Sequence, residues 1–237
     1  MIKAITFSGW GQAADALAPV IPVGATAQHI HYQHFEGARE LLPFLGKRQC
    51  DVLIGWSLGG QLAIRSIHYG HITTKLLVLL ATPYDFIDAT GNPFGMETEN
   101  FNLFEQDFYK SPEKTLRRFN ALVSKGDSHA TTIAKTLRNQ SCSTDGWLKW
   151  LRELRYFSGD EIKFTNFPKT LVIHGRNDHV VRCDQTEIFY SKIPHCNVTI
   201  LEDAGHALHL HNTQLIQQLI SNELTHTTTS PRRYAEV

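Results

Sequence analysis

The chain has 237 residues, 42% of them hydrophobic, with 23 basic and 23 acidic side chains, a formal net charge of +0 and a pI near 7.2. A chain of this length can bury a substantial core without disulfides and reads as one domain. Its neutrality excludes a global electrostatic attraction to nucleic acid or to a membrane surface, and no apolar run approaches the roughly 20 residues needed to span a bilayer. Met1-Ile2-Lys3-Ala4 does not resemble a secretory leader. Cys50, Cys142, Cys183 and Cys196 have neither CxxC nor zinc-ligand spacing, so the expectation is four reduced thiols in a cytoplasmic, monomeric protein that holds no metal.

In chain order, a strand is expected over residues 2–6, then the loop Phe7-Ser8-Gly9-Trp10-Gly11, a helix over 13–20, a strand over 27–34 and a helix over 37–47. The apolar run Val52-Leu53-Ile54 reads as a buried strand. It runs directly into Gly55-Trp56-Ser57-Leu58-Gly59-Gly60 and a helix over 58–69. This is the strand-elbow-helix context of a nucleophilic serine: the sharp turn strains Ser57 and brings neighbouring backbone so close that side chains at the flanking glycines would clash. A buried strand over 75–80 follows, and the alternation is that of a doubly wound, mostly parallel α/β sheet. Between residues 84 and 167 strand signals give way to polar segments with helical spacing, the pattern of a helical lid inserted between core segments 2–83 and 168–224. The core resumes with strands over 170–173 and 197–201 and closes with a helix over 213–224. Residues 225–237, Thr-rich with Pro231-Arg232-Arg233, lack periodicity and are expected to be disordered.

The two late strands supply the rest of a catalytic triad. Thr170-Leu171-Val172-Ile173 leads through His174-Gly175-Arg176-Asn177 to Asp178, and Asn197-Val198-Thr199-Ile200-Leu201 leads through Glu202-Asp203-Ala204-Gly205 to His206. The chain order Ser57, Asp178, His206 is the one this architecture uses, and all three positions lie past carboxyl ends of strands, at one rim of the sheet. Thirteen histidines compete for the role of base. Position selects His206: His174 ends a strand and is expected to pack, His179 follows the acid, and His209 and His211 lie beyond the loop. Of the rival acids, Asp203 is too near His206 in sequence to reach its ring readily, and Asp184 is six residues further from its strand than Asp178. The oxyanion hole is expected from the backbone N–H groups of Leu58, the residue after the nucleophile, and Trp10, in the loop after the first core strand.

The Phe-Ser-Gly-Trp-Gly loop, the Gly-Trp-Ser-Leu-Gly-Gly elbow, Gly-Arg-Asn-Asp at 175–178 and Ala-Gly-His at 204–206 resemble the α/β-hydrolase superfamily. Within it they resemble the pimeloyl-[acyl-carrier protein] methyl ester esterases of biotin synthesis, the BioH type. The resemblance spans most of residues 2–222, in outline only through the middle. It implies a Ser-His-Asp carboxylesterase without a cofactor, acting on an acyl chain carried by acyl carrier protein. The chain departs from that group in carrying Ser8-Gly9 where most members have His-Gly. It also begins almost directly with the core strand, so the sheet is expected to be shortened at its N-terminal edge.

Charge in the lid is segregated along the chain. From 84 to 107 there are six acids and no Lys or Arg; from 110 to 155 there are ten basic residues against four acids. A basic lid face suits the docking of an acidic partner such as acyl carrier protein, although a charge cluster alone is as readily a solvated helix face. The resemblance carries over Phe119, Leu122 and Val123, with Trp10, Leu58 and His206, as substrate-binding residues, and makes Arg118, Arg138, Arg152 and Arg155 candidate carrier-protein contacts. Two other readings stay open. One is a different hydrolase or lyase on the same triad, such as a carbon-carbon bond hydrolase or a menaquinone-pathway synthase, which needs buried arginines near Ser57. The other is a non-enzymatic ligand receptor.

Overall fold

The computed structural model describes residues 1–88, 91–137, 139, 143–225 and 233–234. Its strands are β1 Lys3–Phe7, β2 Thr26–His29, β3 Arg48–Trp56, β4 Ile72–Leu80, β5 Lys169–Gly175, β6 Cys196–Leu201 and the two-residue β7 Arg233–Tyr234. They form one parallel sheet in the order β2-β1-β3-β4-β5-β6-β7. Val52, Leu53 and Ile54 in β3 and Leu77 to Leu80 in β4 are completely buried, as central parallel strands covered on both faces must be. The covering helices are α1 Ala38–Phe44, α2 Leu58–His68, and, after the lid, α7 Thr186–Lys192 and α8 Thr213–Thr225. Among the described residues β2 forms one edge of the sheet and β7 the other. None of the described helices is long and apolar enough to cross a membrane.

The early elements differ from the sequence reading in ways that the packing explains. The strand expected over 27–34 stops at His29; Tyr32–His34 forms a 3-10 turn that carries the Tyr32 ring into the core, where its hydroxyl donates to Gly9 O at 2.7 Å. The helix expected over 13–20 is a 3-10 turn, Ala14–Val20, containing Pro19, which lacks the N–H that a helical ladder needs. The helix expected over 37–47 is shorter at both ends, and β4 begins three residues earlier than the strand expected over 75–80. Part of the tail expected to be disordered is ordered: Arg233–Tyr234 pairs with Val198 and Thr199 on β6, whose outer edge offers unpaired backbone groups. Residues 226–232 and 235–237 lie outside the described residues.

Between β4 and β5 the lid contributes α3 Thr98–Lys110, α4 Pro112–Ser124, α5 Ala130–Thr136 and α6 Thr144–Tyr156. Several joints among the described residues fix it to the core. Trp10, from the loop after β1, is buried among the lid rings of Phe108, Phe119, Phe104 and Trp147 at centroid separations of 5.0, 5.3, 5.7 and 5.9 Å, and its Nε1 donates to Trp147 O at 2.8 Å. Glu153 on α6 accepts from Ala38 N at 2.9 Å and pairs with Arg65 on α2. The connection from α4 to α5 threads between the loops after β5 and β6. Gly126 has φ +88°, a Cβ there would stand 2.0 Å from Asn177 O, and Ser128 N donates to Asp203 O at 3.2 Å.

Candidate active site

The sheet order reverses at β1, which has β2 on one side and β3 on the other. In open α/β sheets the ligand crevice lies beyond the carboxyl ends of the strands at such a switch point. Phe7 and Gly55 are in register there, so the loop of Ser8, Gly9, Trp10 and Gly11 and the elbow at Ser57 leave the sheet side by side. Ser57 has φ 55° and ψ −122°, a conformation a non-glycine residue adopts only when its surroundings enforce it, at a strain of roughly 1–3 kcal/mol. The enforcement is visible: Ser57 N donates to Leu80 O at 3.0 Å, and α2 starts so close to β1 that a Cβ on Gly59 would stand 2.0 Å from Phe7 O. The side chain is nearly buried, at 4% exposure.

Asp178 and His206 meet across the next two loops. His206 Nδ1 donates to Asp178 Oδ2 at 2.7 Å, leaving Nε2 as the ring's acceptor site. Asp178 Oδ1 accepts from Val180 N at 2.7 Å and Val181 N at 2.9 Å. Burial acts to raise the Asp178 pKa, but the charge of His206 and the hydrogen bonds from His174 and His206 outweigh it. The carboxyl is held well below the usual carboxylate range. The rivals are placed elsewhere: Asp184 pairs with Arg182 at 3.2 Å, and Asp203 offers its backbone oxygen to Ser128. The His206 loop is tied to the elbow, because Trp56 Nε1 donates to His206 O at 3.0 Å. Among the described residues no hydrogen bond joins Ser57 Oγ to the His206 ring.

Two histidines have environments the sequence did not suggest. His174, expected only to pack, is completely buried with Nε2 3.0 Å from Asp178 Oδ2. Its signal in the sequence was its place four residues before the acid, across a turn. His209 is also completely buried, in the 3-10 turn Leu208–Leu210, with its ring 4.3 Å from that of Trp56 and neither ring nitrogen hydrogen-bonded to any described residue. Burial, and secondarily His206, push its pKa down to about 3.

The expected oxyanion donors lie on the two segments leaving the switch point. Leu58 is the first residue of α2, where helix N–H groups have no intrahelical acceptor. Trp10 has its side chain committed to the lid, so only its backbone remains for a ligand. Of the expected acyl-contact residues, Phe119 packs on Trp10, Val123 is buried in the core cluster and Leu122 is partly buried against it. A cavity of about 750 Å³ opens between α3, α4 and α6, beside Trp10, and is lined by Phe108, Leu116 and Trp147 with Lys114 and Arg117. None of Phe119, Leu122 and Val123 lines it, because their helix turns them toward the core instead.

The lid arginines face acids of the same lid. Arg118 pairs with Asp107 at 3.5 Å, and Arg152 and Arg155 reach Glu105 at 2.6 and 3.8 Å. Arg155 also donates to Asn102 Oδ1 at 2.6 Å and lies over the Phe101 ring. The segregation of charge along the chain is therefore not kept in space at these positions: α3 brings its acids against the bases of α4 and α6. Arg138 lies outside the described residues, as does Cys142; Cys50, Cys183 and Cys196 are free thiols. No group of three or more His, Cys, Asp or Glu among the described residues is placed to hold a metal ion.

Comparison with known proteins agrees with this architecture. A pimeloyl-[acyl-carrier protein] methyl ester esterase of Nitrosomonas europaea is 31% identical over 163 residues, which cover 65% of this chain and 63% of that protein. A pimeloyl-[acyl-carrier protein] methyl ester esterase of Aromatoleum aromaticum is 26% identical over 230 residues, 86% of this chain and 90% of the relative. Among solved structures, an esterase from Exiguobacterium antarcticum superposes with a TM-score of 0.75 over 95% of this chain and 92% of its own, at 15% identity, a likeness of fold. The sequence profile described as "Alpha/beta hydrolase family" matches residues 4–218, and the chain belongs to that family.

Proposed function

We propose that the protein is a serine carboxylesterase that hydrolyses the methyl ester of a pimeloyl chain carried by acyl carrier protein. The observation that supports the chemistry is a strained, elbow-held Ser57 on the same sheet rim as a buried Asp178–His206 couple. The choice of substrate rests on the relatives. In this reading His206 Nε2 takes the proton from Ser57 Oγ as that oxygen attacks the ester carbonyl. The backbone N–H groups of Leu58 and Trp10 receive the oxyanion. Methanol leaves with a proton returned by His206, which then activates water to release the acid. Asp178 holds the ring in its Nδ1–H tautomer and stabilises the imidazolium. No cofactor takes part.

The carrier would dock on the lid. Arg118 and Arg152 have side chains 64% and 52% exposed, so an acidic partner can compete with Asp107 and Glu105 for them; Arg155 is less accessible and more fully engaged. The lid cavity beside Trp10 has apolar walls in Phe108, Leu116 and Trp147, but most of its lining residues are polar and neither Ser57 nor His206 reaches it, so the acyl chain is not assigned to it. A carbon-carbon bond hydrolase or a synthase acting on a dicarboxylate needs arginines buried around the nucleophile. The described lid arginines are instead on acids of the lid surface, which favours the esterase.

The test is hydrolysis of methyl pimeloyl-carrier protein beside a free short-chain ester, by the parent and Ser57→Ala, at low and high salt. The expected result is loss of both activities in Ser57→Ala, with a preference for the carrier substrate that salt weakens. Cleavage of the short ester alone would retain the triad and remove the carrier substrate. Failure of Ser57 to label with a serine-reactive probe would favour a receptor.

A further inference from the structure

We infer that His174 is a positioning residue for the catalytic acid: a second imidazole that holds Oδ2 of Asp178 in place and limits how strongly that oxygen attracts His206. The inference rests on the triad reading and extends it by one residue. His174 is the penultimate residue of β5 and is completely buried. Its Nε2 stands 3.0 Å from Asp178 Oδ2 and 2.9 Å from Val181 O. A peptide oxygen and a carboxylate both only accept, so the proton must sit on Nε2, which donates to the two together. Nδ1 is buried and has no hydrogen-bond partner among the described residues, so a proton there would be an unsatisfied donor. The tautomer of His174 is thus fixed by its surroundings.

The consequence falls on Asp178. A carboxylate offers about four acceptor sites. Here Oδ1 takes Val180 N and Val181 N, while Oδ2 takes His206 Nδ1 and His174 Nε2. With both oxygens held on two sides, the carboxylate cannot rotate to follow the His206 ring, and the electron density on Oδ2 is shared between two imidazoles. Removing the His174 donor gives all of Oδ2 to His206. The imidazolium form is then more strongly stabilised, and the ring is less tightly aimed. The other ionisable groups around this pair are Cys183, held by Arg176, and His209, which faces His206 from the following turn. Arg176 is itself occupied by Glu202. None of these donates to Asp178.

His174→Phe removes the donor and keeps a ring; His174→Gln restores an N–H near the same place. In His174→Phe, with a short-chain ester as substrate, kcat is expected to fall about tenfold while KM changes by less than about twofold. The acid limb of the kcat/KM profile is expected to move upward by about half a pH unit. His174→Gln should recover most of kcat and return the limb. Phe and Gln variants that lose activity equally, or a Phe variant with unchanged kcat and pH limb, would overturn the inference. Nitrogen-15 NMR of the histidine side chains provides a readout independent of activity: at pH 7.5 the parent should show a ring protonated on Nε2 with a bare Nδ1, and that signal should be absent from His174→Gln. A proton on Nδ1 of His174 would overturn the inference. Asp178→Asn separates the two ideas: full activity in that variant would defeat the triad reading itself, whereas inactive Asp178→Asn beside unaffected His174→Phe defeats only this one.

Discussion

The elbow and the lid are held by different physics. At the elbow the constraints are backbone against backbone: α2 begins against Phe7 O and Ser57 N is bonded to Leu80 O, so no side-chain rearrangement relieves a change. In the lid most of the constraints are side chains: the rings around Trp10, the Glu153 joint and the ion pairs of Glu105 and Asp107, with backbone contacts fixing the connection at Gly126 and Ser128. Side chains can repack and exchange partners. The elbow is thus held more rigidly than the lid.

The largest effect that tests this contrast is at Gly59. In Gly59→Ala the new methyl would stand 2.0 Å from Phe7 O, and the helix start and the loop carrying Trp10 must separate. The expected outcome is destabilisation of more than about 4 kcal/mol, read from urea midpoints, together with loss of serine-probe labelling. Near-parental stability would mean that the elbow is less tightly fixed than its geometry implies. At the joint between the two regions, Trp10→Ala should lose ~3–5 kcal/mol through a cavity under the lid rings. Trp10→Phe should lose only about 1 kcal/mol, from the bond to Trp147 O. Equal losses in the two would identify the hydrogen bond, not the ring cluster, as the fastening.

The smallest effect at neutral pH concerns His209. Its folded-state pKa is pushed down to about 3 from the ordinary 6.5, so below pH 6.5 the unfolded chain binds a proton that the native state refuses. This contribution to stability is fully present above pH 6.5 and is lost as pH falls toward 3, by at most about 1.4 kcal/mol per pH unit. His209→Phe should remove that loss. Urea melts of the two proteins should differ by a constant amount above pH 6.5 and diverge in favour of the variant toward pH 4. Parallel curves over that range would show His209 taking up its proton in the native state.

The contrast between regions also describes what could be read in advance. The central strands were legible because a parallel strand covered on both faces is a short continuous apolar run, as at Val52 to Ile54 and Leu76 to Leu80. The strand over 27–34 was overextended because Tyr32 looks equally at home in a strand and in a 3-10 turn, and only the partner at Gly9 O chooses between them. In the lid, the resemblance assigned Phe119, Leu122 and Val123 of α4 to the substrate, whereas Leu116 is the apolar residue of that helix that lines the cavity. Phe119 meets Trp10, which is 109 positions earlier, and no local pattern encodes that meeting.

By itself the sequence determined the α/β alternation, the strand-to-helix elbow at Ser57 and the order of acid and histidine after the late strands. Each of these is local, set by periodicity, glycine placement and the few residues following a strand. Tertiary structure alone decided which histidines share Asp178, that His209 is buried with no hydrogen-bond partner among the described residues, and that acids remote in sequence lie against Arg118, Arg152 and Arg155. The physical reason is that a hydrogen bond or ion pair depends on distances between elements, and those distances are fixed only when the sheet order and the lid's seat on Trp10 have been set.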